Sequence, residues 1–87
     1  MVIEHYRNGD PVPVYRRFRE QGRMMLEGVR YISSWVTLDL KQCYQIVEAE
    51  NRDALSAWMR NWTDIVEFEV IPVIHSRDAA DLSANLS

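Results

Sequence analysis

The chain holds one cysteine, Cys43, with only three prolines and three glycines among 87 residues. A single cysteine excludes an intrachain disulfide. With no C-x-x-C pair and no Cys/His cluster, no structural metal is expected either. There is no glycine-rich phosphate loop, no H-E-x-x-H pair and no nucleophile elbow. No apolar run approaches the roughly 18 residues of a membrane span. Residues 1–6 carry no basic segment and no signal-peptide core. Positive charge is not in excess: ten basic and thirteen acidic residues give a formal net charge of −3. That balance argues against nucleic-acid or anionic-membrane partners. A soluble, cytoplasmic protein is the expectation, and a lone cysteine inside a strand pattern suits a reducing compartment.

What is present points to a folded globule. The hydrophobic share is 47%, with three Trp, four Tyr and two Phe. One domain of this length buries barely enough surface to offset its conformational entropy, so small domains often rely on a staple. With disulfides and metals set aside, oligomerisation is the staple that remains.

The hydrophobic period changes along the chain from two to 3.6, back to two twice, then to 3.6 and to two again. That order predicts strand, helix, strand, strand, helix, strand: an α+β, ferredoxin-like βαββαβ plan. The first strand covers residues 1–7 and is broken by Asn8-Gly9-Asp10-Pro11. Asp10 is a good N-cap, and Pro11 suits the first helical position. Val14 or Tyr15, Phe18, Gly22 and Met25 form the helix stripe. Gly22 ends it, residues 23–27 form a loop, and Gly28 marks the exit. Residues 29–38 and 42–49 make a hairpin with Asp39 in the turn. Asn51 caps a second helix, whose Leu55, Trp58, Met59 and Trp62 recur at i, i+3, i+4 and i+7. The last strand is expected over 65–74, with Pro72 at an edge or bulge. One domain over 1–76 and a weakly helical or frayed tail over 77–87 follow.

This plan gives an antiparallel sheet of order 4-1-3-2 with both helices on one face. Val66, Phe68 and Val70 go to the helix side. The other side then carries Glu67, Glu69, Ile71, Val73 and His75, a mixed surface. Two copies stacked sheet to sheet would bury its apolar part, so a homodimer is expected.

Glu4 sits in a central strand, where a carboxylate needs a partner or a task. It is a candidate general base or ligand anchor; otherwise it faces a wet dimer seam and pairs with an arginine. His5 is a second candidate base, set against an ordinary cross-strand pair with Glu69, beside an Arg7–Glu67 pair. His75 is expected beside Met1, too far along the strand to share a metal with His5. The pattern leaves open which sheet face carries Glu4 and which His5. Tyr6, Tyr31, Trp35 and Tyr44 place aromatics on three strands. An RNA-stacking role is disfavoured because the third strand, Lys41-Gln42-Cys43-Tyr44-Gln45-Ile46, lacks the motif that role requires. Tyr6, Trp35 and Tyr44 remain candidate ligand contacts. Arg16, Arg17 and Arg23 are candidate anion or partner contacts, against a solvated helix face with an Arg16–Glu20 pair. Cys43 has no basic neighbour in sequence and reads as a small buried hydrophobe.

Several stretches together resemble a family of short bacterial proteins, the domain of unknown function numbered three-three-zero-three. They are Asn8-Gly9-Asp10, Val14-Tyr15-Arg16-Arg17-Phe18-Arg19, Gly22-Arg23, residues 28–36 with Ser33-Ser34-Trp35, Trp58, and residues 62–73. Met24-Met25-Leu26 departs from the more polar or Pro-containing loop expected there. The resemblance spans about residues 1 to 80 and implies a ferredoxin-like subunit similar to dimeric α/β-barrel proteins. It implies no activity and no catalytic residues. Two functions are carried forward, neither with a metal or cofactor. One is a homodimeric module holding a small molecule or a protein partner. The other is a cofactor-independent enzyme of oxygenase or isomerase type, acting on a small aromatic compound. In the second, Glu4 or His5 would be the base and Trp35 or Tyr44 would line the pocket.

Overall fold

The structure, a computed structural model, describes residues 1–86. Strand β1 (Val2–Tyr6) is followed by a turn at Arg7–Gly9, helix α1 (Val12–Gln21), β2 (Val29–Val36), β3 (Gln42–Ala49), α2 (Arg52–Met59), β4 (Val66–Val70) and α3 (Ser76–Leu86). The four strands form one antiparallel sheet in the order β2-β3-β1-β4. This is the expected 4-1-3-2 order read from the other edge, and the α+β fold is compatible with the ferredoxin-like plan.

Local chemistry explains the boundaries. Asn8 and Gly9 both take positive φ, 60° and 62°, which turns the chain sharply out of β1. The Asp10 carboxylate then accepts a hydrogen bond from the Val12 N–H at 3.0 Å, opening α1. Gly22, at φ 67°, closes it, and its N–H donates to the Phe18 carbonyl. In the β2–β3 turn, the Asp39 carboxylate accepts from the Thr37 hydroxyl at 2.6 Å and the Lys41 N–H at 3.0 Å. These bonds hold the exposed Asp39 carboxyl below the usual carboxylate range. Asn51 caps α2 by accepting from the Ala54 N–H at 2.8 Å.

The core lies between one sheet face and helices α1 and α2. It gathers Val2, Tyr6, Cys43 and Val66 from the sheet, Val14 from α1, Leu55 and Trp58 from α2, and Trp62 just beyond. Phe68, Val70, Met24 and Met25 pack against it. Val66, Phe68 and Val70 thus face the helices, as the alternation predicts. Arg17 ties α1 to the segment after α2 through a bidentate pair with Asp64, at 2.7 and 2.6 Å, and a bond to the Asn61 carbonyl.

Strand β4 and its pairing with β1 differ from expectation. Strand β4 ends at Val70 rather than at residue 74. Pro72 cannot donate to a ladder, and the chain leaves the sheet just before it. Ile71, not His75, lies beside Met1, since its N–H donates to the Met1 carbonyl at 2.8 Å. The 11-residue helix α3, beginning at Ser76, occupies the stretch expected to be a weakly helical or frayed tail.

Candidate functional site

The strand register separates the two candidate bases. Glu4 lies opposite Cys43 and Phe68, both on the helix side. Its neighbour His5 therefore points the other way, as successive strand residues must. Glu4 is 8% exposed and sits beneath the helices rather than at a wet sheet surface.

Strand β2 carries an irregularity that re-sorts its side chains. Tyr31 pairs with Val47, but Ser33, not Ile32, pairs with the next residue, Ile46. Ile32 is the extra residue of a β-bulge. Tyr31 and Ser34, three apart, consequently share the inner side, and their hydroxyls are 2.8 Å apart. Trp35, opposite Tyr44, is turned to the outer side and is 60% exposed. Unbroken alternation from Tyr31 would have sent Trp35 inward.

Between the sheet and α1 lies a cavity of about 180 Å³. Apolar walls come from Val14, Phe18, Val36, Trp58 and Trp62, and polar ones from Glu4, Tyr6, Arg23, Ser34, Cys43 and Gln45. Burial raises the Glu4 carboxyl above its ordinary pKa, partly countered by a hydrogen bond from the Cys43 thiol and the charge of Arg23. Burial, reinforced by the Glu4 charge, pushes the Cys43 thiol up to about 12, so it is a poor nucleophile. The sequence offers no basic neighbour for Cys43, whereas the fold brings Arg23 near it. Tyr6 is raised by burial and by its hydrogen bond to the Tyr15 hydroxyl at 3.5 Å.

Arg23 is held through both its backbone and its side chain. Its carbonyl accepts from both indole N–H groups, Trp58 at 3.0 Å and Trp62 at 3.2 Å. Its guanidinium lies 3.7 Å from the Tyr31 ring centroid and 5.0 Å from that of Phe18. Among the described residues that guanidinium makes no hydrogen bond, and its charge acts on the nearby Glu4 carboxyl. Gln45 is 4% exposed, and its amide nitrogen also lacks a partner. A buried donor is costly unless water or a ligand meets it.

The outer face groups the other candidates. Gln42 Nε2 is 3.2 Å from His5 Nδ1, and the Tyr44 hydroxyl donates to Gln42 Oε1 at 3.2 Å. His5 Nε2 is 3.9 Å from Glu69, and Arg7 pairs with Glu67 at 3.2 Å. Both expected cross-strand pairs are present. Trp35, Tyr44 and His5 thus share one face, while Glu4, Tyr6 and Arg23 share the other. Arg16 stands exposed on α1, and Arg17 is engaged by Asp64. Gln45 and Ser34 escaped the sequence reading. For Gln45 a signal existed, since it alternates with Cys43 and Val47 on the inner side. For Ser34 there was none, because its side depends on the bulge.

Fold and site together define a small α+β protein with an antiparallel sheet, two helices on one face and a polar-lined cavity beneath them. The chain belongs to the family described as Domain of unknown function (DUF3303), whose model matches residues 1–87. Neither the comparison with curated proteins nor that with solved structures gives a match. No described helix is long and apolar enough to cross a membrane.

Proposed function

We propose that this protein is a homodimeric α/β-barrel-type module that binds a small molecule in the cavity between sheet and α1. One observation carries the reading: a buried acid (Glu4), an unpartnered amide nitrogen (Gln45) and a guanidinium whose charge acts on that acid (Arg23) converge on one apolar-walled space. Packing alone would favour filling such a space with methyl groups. A dry cavity of ~150 Å³ holds a benzene ring, so a space of about 180 Å³ matches a single substituted ring. The dimer is formed through the outer sheet face, with Trp35, Tyr44 and Ile46 meeting their counterparts and the His5–Glu69 pair among them. Exposed Trp35 and the small size of the domain support this arrangement.

The enzymatic alternative, a cofactor-independent oxygenase or isomerase, is favoured by Glu4 in particular. A carboxyl raised by burial beside a ligand space has the character of a general base or acid. His5, on the opposite face, then takes no part in the same chemistry.

Native mass spectrometry of protein purified gently from cells tests the module reading. The expected spectrum is a dimer carrying a retained compound of one-ring size. A bare monomer would end this proposal. Turnover of the retained compound, abolished in Glu4→Gln, would move the assignment to the enzyme.

A further inference from the structure

The cavity's unfilled hydrogen-bonding capacity has a direction. Resting on the reading of the cavity as a ligand site, we propose that its ligand is a monocyclic aromatic carboxylate, whose carboxylate lies between the Arg23 guanidinium and the Gln45 amide.

The polar wall divides into satisfied and unsatisfied groups. The Tyr31 and Ser34 hydroxyls bond each other, and Tyr6 bonds Tyr15. Two donors on this wall make no hydrogen bond among the described residues: the buried Gln45 Nε2, and the guanidinium of Arg23, whose charge acts on Glu4. A ligand supplying only donors would leave both unmet. Two carboxylate oxygens meet both, and a guanidinium fork matches a carboxylate geometrically. Arg23 is also held in advance. Its backbone is pinned by two indoles and its side chain lies against two aromatic rings, so little freedom is lost on binding. The remaining walls, Val14, Phe18, Val36 and Trp62, are apolar and suit a ring. A ring plus one carboxylate is also about what 180 Å³ accommodates.

Glu4 sets a further property. An ionised Glu4 would repel the ligand carboxylate, whereas a protonated one can donate to it. Binding is therefore coupled to proton uptake at Glu4, whose burial already favours the protonated form. Tyr6, Tyr15, Cys43 and Arg23 are the other titratable groups around the cavity, and Tyr6 and Cys43 are both shifted upward by burial. Affinity for the anion is expected to fall with rising pH, by at most about tenfold per pH unit for one linked proton.

The probes are sodium benzoate and its neutral isostere benzamide, titrated into the full chain and followed by NMR. Benzoate is expected to bind about tenfold or more tightly than benzamide, the difference made by one charge-assisted pair. Arg23→Gln should erase that preference with benzamide binding kept, while Arg23→Lys should retain part of it. Gln45→Leu should weaken benzoate several-fold yet raise the melting temperature, a combination that a purely structural role would not give. Glu4→Gln should flatten the pH dependence of benzoate binding. Equal affinity for benzoate and benzamide in the unaltered protein would overturn the carboxylate assignment and leave the cavity reading standing. Binding of neither at millimolar concentration would overturn both.

Discussion

Glu4 shows how one side chain can oppose the fold that holds it. Its carboxyl is buried on a central strand, and burial raises its folded pKa above the ordinary carboxylate range. The folded state thus binds this proton more tightly than the unfolded chain does. The associated stability is fully present below the unfolded pKa and is lost as pH rises through the raised folded value. Glu4→Gln should therefore stabilise the protein at pH 7 to 8, by about 1 kcal/mol, the scale of other substitutions that relax a functional site. Urea denaturation across pH 4 to 8 reads this directly. A variant no more stable than its parent at pH 8 would show that Glu4 is fully compensated in the fold. The oddity of a carboxylate in a central strand was visible in the sequence. Its partners were not, because Cys43 and Arg23 reach it only after strand pairing and loop closure.

The elements owe their ends to local bonds, and these are open to single substitutions. Asn51 is extended, at φ −158°, and accepts from the Ala54 N–H at the start of α2. Asn51→Ala removes that acceptor and should cost about 1 kcal/mol, measurable as a lower denaturation midpoint with an unchanged slope. Gly28 stands at φ 88°, and a Cβ there would meet Ala54 Cβ and Glu50 Oε2 at 3.3 Å. Gly28→Ala should cost about 1–2 kcal/mol, since the left-handed region alone disfavours a side chain and the neighbours must also give way. A melting temperature unchanged within error would mean that the β2 entry relaxes freely. Asn51, Gly22 and Gly28 were recognisable from sequence because caps and turns act over three or four residues. The end of β4 was misjudged by four residues, as apolar residues 71, 73 and 74 continue an alternation that Pro72 interrupts.

Taken as one body, the molecule hides one side of its sheet and leaves much of the other to solvent. Ile3, opposite Tyr44 and Glu69, is buried on that outer side, yet Trp35 is 60% exposed and Ile71, Val73 and Ile74 are exposed beyond β4. In the proposed dimer, Trp35 is an interface anchor that touches none of the subunit core. Trp35→Glu should then raise the dimer dissociation constant by about thirtyfold, the loss of a hot spot worth about 2 kcal/mol. Sedimentation velocity across a dilution series would show it, with circular dichroism confirming the fold. An unaltered protein sedimenting as a monomer throughout would remove the dimer. Strand order, helix placement and the buried Val66-Phe68-Val70 face could be derived from periodicity, because each depends on residues close in sequence and on few topological choices. The cavity could not. It depends on a bulge at Ile32 that shifts Ser34 inward and Trp35 outward. It depends also on a loop carbonyl at Arg23 shared by indoles 35 and 39 residues away. Such contacts join distant segments, and they exist only once the sheet and helices have closed on one another.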